Sequence, residues 1–227
     1  MVSAIILAAG KGSRMNSDIP KQFMKVNDKP VIYYCLKSFS KANVDEIVIV
    51  TSEEYISYCN ELVAEYKIKN VKAVINGGKE RYDSVFNGLR SVNGAEDDVI
   101  LIHDAARANV SFALINSITK EVYKSGAAIP VVPVKDTIKI VEDGKVVNTP
   151  LRSSLNIVQT PQGFNYGAIF KAYMKMQTEN HDGITDDSMV MEIYGDLPVK
   201  TVLGDYSNFK ITTPEDIKQF MSLKLDD

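Results

Sequence analysis

Several things are scarce in this chain, and each scarcity removes a class of function. Two cysteines, Cys35 and Cys59, are too few for a disulfide framework or a thiolate zinc site. Both fall in helix-like patterns, so they read as reduced packing residues of a cytoplasmic protein. Two histidines leave little from which to build a histidine-based metal centre, and no Ser-His-Asp or Cys-His nucleophile arrangement is evident. Excess positive charge is missing as well. The formal net charge is −3, which argues against general binding to nucleic acid or to an anionic membrane. No apolar run reaches the roughly 18 residues that a membrane span needs, and the N-terminus lacks a secretory pattern. Any cationic site must therefore be local.

What is present is an ordinary soluble composition, 45% hydrophobic and 24% charged over 227 residues, sized for one large domain or one domain with an appendage. Apolar runs at Ala4–Leu7, Glu46–Thr51, Val71–Ile75, Val99–Ile102 and Ala127–Val134 read as buried strands. Helical patterns separate them: Val31–Phe39, Tyr55–Tyr66, Tyr82–Arg90 and Phe112–Ser125. Further helices are expected at Tyr166–Gln177, Asp187–Tyr194 and Pro214–Leu223, with a strand at Val199–Leu203. Asp186 and Asp187 stand where a helix start favours acidic residues. Such alternation predicts a three-layer α/β fold around a mostly parallel sheet. Between Asp136 and Arg152 the period changes to 2 around Asp143-Gly144, which predicts a β-hairpin. An excursion spanning 134–154 is too small to hold a core of its own. It must lie on the parent domain or on a second subunit, and an arm exchanged within a dimer is the favoured reading.

Ligands of a parallel sheet collect beyond the carboxyl ends of its strands. There the chain places a small-residue loop, Ala8-Ala9-Gly10-Lys11-Gly12, followed by Arg14 and Lys21. Little side-chain bulk beside clustered cations suits phosphate binding, although the spacing is neither G-x-G-x-x-G nor the Walker pattern. Other strand ends supply Gly77–Ser84, His103–Arg107 and Asp136-Thr137, adding Arg81 and Arg107 to the cations and Asp104 and Asp136 as carboxylates. The mixture fits a phosphate-rich ligand accompanied by a divalent metal. Duller explanations accompany each residue. His103 fits a hydrogen-bonded core position, Arg107 and Asp104 a structural ion pair, and Asp186-Asp187 simple helix capping.

Taken in order, LAAGKGSRM, PKQF, GGKERYDSV, HDAAR, PVKDTIK, QTPQGF, TDDS and NFKITTPED resemble the 2-C-methyl-D-erythritol 4-phosphate cytidylyltransferases, and they run from Ala4 to Asp216. The resemblance implies a Rossmann-like nucleotidyltransferase fold and a reaction of CTP with a polyol phosphate. A CDP-polyol and pyrophosphate would result from in-line attack on the α-phosphorus. It implies that Arg14 and Lys21 are catalytic, stabilising charge on the phosphates. Ala8, Ala9, Gly10 and Lys11 would hold the triphosphate, and Gly78, Lys79, Ser84 and Ala105 the rest of the nucleotide. Asp104, Arg107, Asp136, Thr137, Arg152 and Lys210 would meet the second substrate, with Thr137 and Arg152 reaching over from a partner subunit of a homodimer. Magnesium or another divalent cation would be carried mainly by the CTP phosphates. Two departures stand out: Ala108 follows HDAAR where the family usually has proline, and Lys79 occupies a position often held by Asp. Ribitol-5-phosphate cytidylyltransferases share the wider group and form the alternative. They tend instead to carry LAGG and HD-x-VRP. A non-catalytic nucleotide-binding regulator on the same fold is the remote alternative.

Overall fold

A computed structural model describes residues 1–10, 19–179 and 181–223. Lys11 and Arg14 lie outside the described residues. The elements alternate as the sequence predicts: β1 (Val2–Leu7), a 3-10 turn at Lys21–Phe23, β2 (Lys25–Val26), β3 (Lys29–Pro30), α1 (Val31–Lys41) and β4 (Glu46–Thr51). Then come α2 (Ile56–Glu65), β5 (Val71–Asn76), α3 (Arg81–Ser91), β6 (Val99–Asp104), α4 (Phe112–Ser125) and β7 (Ala127–Pro133). The hairpin is β8 (Ile140–Glu142) and β9 (Lys145–Asn148). The chain ends with β10 (Asn156–Val158), β11 (Gln162–Asn165), α5 (Tyr166–Met176), α6 (Asp187–Tyr194), β12 (Lys200–Leu203) and α7 (Pro214–Ser222).

The central sheet has eight strands in the order β10-β7-β11-β6-β1-β4-β5, with β12 alongside β7. β1 pairs in parallel with both β4 and β6, β4 with β5, and β12 with β7. Both faces of β1, β4 and β6 are covered. Ala4, Ile6, Ile47, Ile49 and Leu101 pack with α1, α2 and α4. Their sequence neighbours Ile5, Val48, Val50, Ile100 and Ile102 pack on the other side with α3, α5 and α6. A two-residue strand period that is apolar on both phases is what a middle layer between two helical layers requires.

Local chemistry sets several helix ends. Ser111 caps α4 by accepting from the Leu114 amide, and Gly126 closes it at φ 82°. Thr213 and Asp216 form a capping box on α7, behind Pro214 in its first turn.

Four short strands, β2, β3, β10 and β11, are not among those the sequence predicts, and the hairpin starts later than its pattern suggests. β11 runs antiparallel between β6 and β7, where the alternation predicts direct parallel neighbours. It is four residues long and contains Gly163, at which a Cβ would stand 2.7 Å from Ile118 and 2.8 Å from Val122. α4 thus lies against bare backbone there, a closeness that only glycine allows. The hairpin begins at Ile140, not at Thr137, so Asp136 and Thr137 precede its pairing. Asp143 and Gly144 both have positive φ (47° and 75°), as the Asp-Gly turn requires.

Candidate active site

The carboxyl ends of β1, β5 and β6 open into one cleft of about 430 Å³. Ala9 and Gly10 line it from the end of β1, Lys21 and Gln22 from the 3-10 turn, and Gly77 to Arg81 with Ser84 from the start of α3. Asp104 and Ala106 come from the end of β6, and Lys210 and Thr212 from the segment before α7. Sequence positions from 7 to 212 thus meet at one strand-end surface.

The wall formed by Gly77–Ser84 is held by its own backbone chemistry. The Gly77 amide donates to the Thr51 carbonyl at 2.7 Å, and the Gly78 amide to Ser84 Oγ at 3.0 Å. Glu80 and Asp83 close a capping box on α3. A Cβ on Gly77 would stand 2.8 Å from both Ala9 Cβ and Ser84 Oγ, so glycine is what lets this wall meet the β1 loop. On the other side, buried Gln22 donates through Nε2 to the carbonyls of Ala8 and Gly10. Phe23 stacks on Tyr55 with ring centroids 4.6 Å apart. The turn that carries Lys21 is therefore tied both to the β1 loop and to the aromatic cluster beside α2.

Charge concentrates at the floor. Asp104 Oδ1 accepts from Arg81 Nε at 3.3 Å, and Oδ2 from Lys210 Nζ at 2.8 Å. Burial alone would raise the Asp104 pKa, but Arg81, Lys210 and Arg107 outweigh it and hold the carboxyl well below its usual range. Arg81 also reaches backward: its Nη1 and Nη2 donate to Asp187 at 2.9 and 2.7 Å. Tyr173 Oη donates to the same carboxylate at 2.7 Å. Burial and the Asp187 charge push the Tyr173 phenol well above its usual value, so it stays protonated and serves as the donor.

His103 is fully buried beside Asp104 and hydrogen-bonded at both ring nitrogens, to the Arg107 carbonyl and to Thr160 Oγ1. Burial lowers its pKa to about 4, so it is a neutral core residue. That agrees with its duller sequence reading.

Of the residues expected from sequence, Ala9, Gly10, Lys21, Gly78, Lys79, Ser84, Asp104 and Lys210 converge on this cleft. Others are placed differently. The Ala8 amide donates to the Val50 carbonyl at 2.7 Å, so it is committed to the sheet and not offered to a phosphate. Ala105 donates to the Leu7 carbonyl and is fully buried, while its neighbour Ala106 forms the wall. Arg107 turns away from Asp104 and donates to the carbonyls of Asn208 and Val158 at 3.0 and 3.2 Å. It acts as a structural tie, and the expected Asp104–Arg107 ion pair is replaced by Asp104–Arg81 and Asp104–Lys210. Ala108, the departure from the usual proline, packs with Val31, Ile211 and Phe220. The Ile211 amide bonds the Ala106 carbonyl, which brings Lys210 over the cleft.

Asp136, Thr137 and Arg152 are exposed on the arm and do not line the cleft of their own chain. Arg152 donates to the Lys135 carbonyl at 3.2 Å. Sequence alone does not assign Gln22, Asp187 or Tyr173 to the site, and it gives Arg81 no partner. Asp186 is a cap, accepting from the Met189 amide, but Asp187 turns inward to Arg81. The one sequence signal toward that pair is the presence of Arg81 at a strand end.

Both cysteines are free and buried. Burial raises the Cys35 thiol to about 12 and the Cys59 thiol to about 11, leaving them unreactive packing groups. Among the described residues, no helix is long and apolar enough to cross a membrane.

With this geometry, similarity to known proteins becomes informative. The family model described as 2-C-methyl-D-erythritol 4-phosphate cytidylyltransferase matches residues 2–221. A protein of that name from Lachnospira eligens is 45% identical over 221 residues, covering 96% of each chain. One from Clostridium botulinum is 48% identical over 217 residues, covering 95% of this chain and 93% of its own. Among solved structures, 4-diphosphocytidyl-2C-methyl-D-erythritol synthase from Anaerococcus prevotii superposes with a TM-score of 0.83 at 33% identity, covering 96% of this chain and 95% of its own. The Francisella tularensis 2-C-methyl-D-erythritol 4-phosphate cytidylyltransferase gives 0.81 at 32%, covering 96% and 97%. A match that spans nearly the whole chain, in sequence and in fold, places this protein in the 2-C-methyl-D-erythritol 4-phosphate cytidylyltransferase family.

Proposed function

We propose that this chain transfers a cytidylyl group from CTP to 2-C-methyl-D-erythritol 4-phosphate, forming CDP-methylerythritol and pyrophosphate. A phosphate oxygen of the acceptor attacks the α-phosphorus in line. The new P–O bond forms as the bond to the bridging oxygen of the leaving pyrophosphate breaks. The observation that carries this reading is the division of the cleft into a backbone-lined wall at Gly77–Ser84 and a charged floor at Asp104 and Lys210, with Lys21 lining the same cleft.

In this reading the wall reads the base through Gly78, Lys79 and Ser84, Ala9 and Gly10 lie along the triphosphate, and Lys11 is proposed to add charge toward it. Arg14 and Lys21 neutralise the charge that grows on the phosphates, and positioning does the rest. Asp104 accepts hydrogen bonds from acceptor hydroxyls, and Lys210 takes the acceptor phosphate.

A divalent cation, magnesium for instance, is proposed to travel with the triphosphate. Among the described residues no group of three His, Cys, Asp or Glu side chains is placed to hold a metal. The Asp104 carboxylate is already shared by two cations. This donor set fits a metal bound by nucleotide phosphates, where it would offset charge on the leaving group.

We also propose that the arm completes the site of a second copy, supplying Thr137 and Arg152. Val141, Val146, Val147 and Leu151 are each more than half exposed, which is unusual for four apolar residues on one small arm and favours a covering partner. Residence in the cytoplasm fits the two buried, unpaired thiols.

The test is pyrophosphate release from CTP and magnesium with methylerythritol phosphate or ribitol 5-phosphate in separate reactions. Release with the first is expected, and preference for the second would overturn the choice of acceptor.

A further inference from the structure

The two cations on Asp104 are held in very different ways. Lys210 makes one contact with it, from a side chain that is 38% exposed. Arg81 is fastened from behind by two hydrogen bonds to Asp187, whose side chain has no exposure at all. Asp187 is in turn fixed by the buried Tyr173 hydroxyl. A forked guanidinium–carboxylate pair restrains direction as well as distance, whereas a lysine ammonium on a flexible stem does not.

We infer that Arg81 is the permanent counter-charge of Asp104 and Lys210 the releasable one, and that Asp187 and Tyr173, outside the cleft, are positioning residues acting through Arg81. This rests on the reading above, in which Lys210 binds the acceptor phosphate. When that phosphate enters, Lys210 can turn from Asp104 to it without leaving the carboxylate unpaired. Arg81 stays, keeps Asp104 ionised, and leaves the oxygen vacated by Lys210 facing the acceptor hydroxyls. Without the clamp, Arg81 could follow Lys210 toward the phosphate, and Asp104 would be left alone or drawn aside. Removing one member of such a buried set is costly because the remaining charge loses its partner.

Asp187 and Tyr173 should matter for the acceptor and little for the nucleotide. The nucleotide wall has separate fastenings: the Glu80–Asp83 capping box and the Gly78–Ser84 bond. Neither involves Asp187.

The experiment compares Asp187→Asn and Tyr173→Phe with wild type, varying each substrate at saturating levels of the other. Asp187→Asn should raise KM for the acceptor about tenfold and Tyr173→Phe about threefold, while KM for CTP stays within about twofold. A purely structural role would lower the melting temperature and move both constants together, and that result would overturn the inference. Tyr173→Phe keeps the ring in its pocket and carries the test if Asp187→Asn does not fold. Failure of wild type with methylerythritol phosphate overturns the proposed substrate, not the clamp. The clamp is then judged on a crystal structure of the folded variant: Arg81 displaced from Asp104 supports it, and Arg81 unmoved refutes it.

Discussion

The cleft and the arm handle polar and apolar groups in opposite ways. At the cleft, charged groups are drawn inward and each is met: Asp104 by Arg81 and Lys210, Asp187 by Arg81 and Tyr173. On the arm, apolar groups are pushed outward and uncovered, Leu151 at 73% and Val146 at 61% exposure. A protein tolerates buried charge only where a partner meets it, here within the same chain, and exposed apolar surface most often where a partner comes from elsewhere. The contrast separates what one copy finishes by itself from what it leaves open.

Substitutions can break this comparison at either end. The largest effect is expected at Lys21: Lys21→Ala should lower pyrophosphate release by about 10² to 10³ with an unchanged melting temperature, by analogy with removal of one charge-stabilising donor. A variant with wild-type turnover would remove Lys21 from the reaction. Next comes the layer beneath the cleft. Ile5 is fully buried between helices and sheet, so Ile5→Ala should cost about 2 to 5 kcal/mol in urea unfolding, while Val146→Ala on the arm should stay within about 0.5 kcal/mol for the monomer. Equal costs would mean that the arm is part of the chain's own core.

Acid sensitivity should also belong to the cleft side. Burial holds His103 near 4 in the folded chain, against its ordinary value of 6.5, so between those values the unfolded chain takes up a proton that the folded chain refuses. Stability therefore falls as pH drops from 6.5 toward 4, by at most about 3 kcal/mol from this group. Urea unfolding at about pH 7, above the histidine range, and at about pH 4.5, near its lower end, should show most of that loss, and it should shrink in His103→Asn. An undiminished loss would assign the acid sensitivity to other groups. The smallest effect is expected near the base of the arm. Leu151→Asp should shift sedimentation toward a monomer and lower acceptor turnover about tenfold, with little change in the melting temperature of the single chain. A fully active monomer would disprove the exchanged arm.

Much of the scaffold is legible in sequence because single local causes decide it. β1, β4 and β6 are apolar on both phases, and α4 is bounded by Ser111 and Gly126. β11 has no such mark. It is short, contains a glycine, follows a proline, and owes its place to strands on either side. The site divides in the same way. Residues at strand ends, such as Asp104 and the Gly77–Ser84 loop, can be read from topology. The inward turn of Asp187 cannot, because beside the true cap Asp186 it carries the same local pattern, and its partner is 106 positions away. Arg107 misleads for a related reason: its charge suggests a ligand, and only the carbonyls of Val158 and Asn208 reveal a tie.

That separation along the chain has a consequence during synthesis. At roughly 5 to 20 residues per second, Asp187 leaves the ribosome roughly 5 to 20 s after Arg81, and Lys210 later still. A half-made chain already contains Gly77–Ser84 and Asp104, yet it lacks Asp187 and Lys210. The charged set of Asp104, Arg81, Asp187, Tyr173 and Lys210 can therefore close only once the last strand and the segment beyond it have been made.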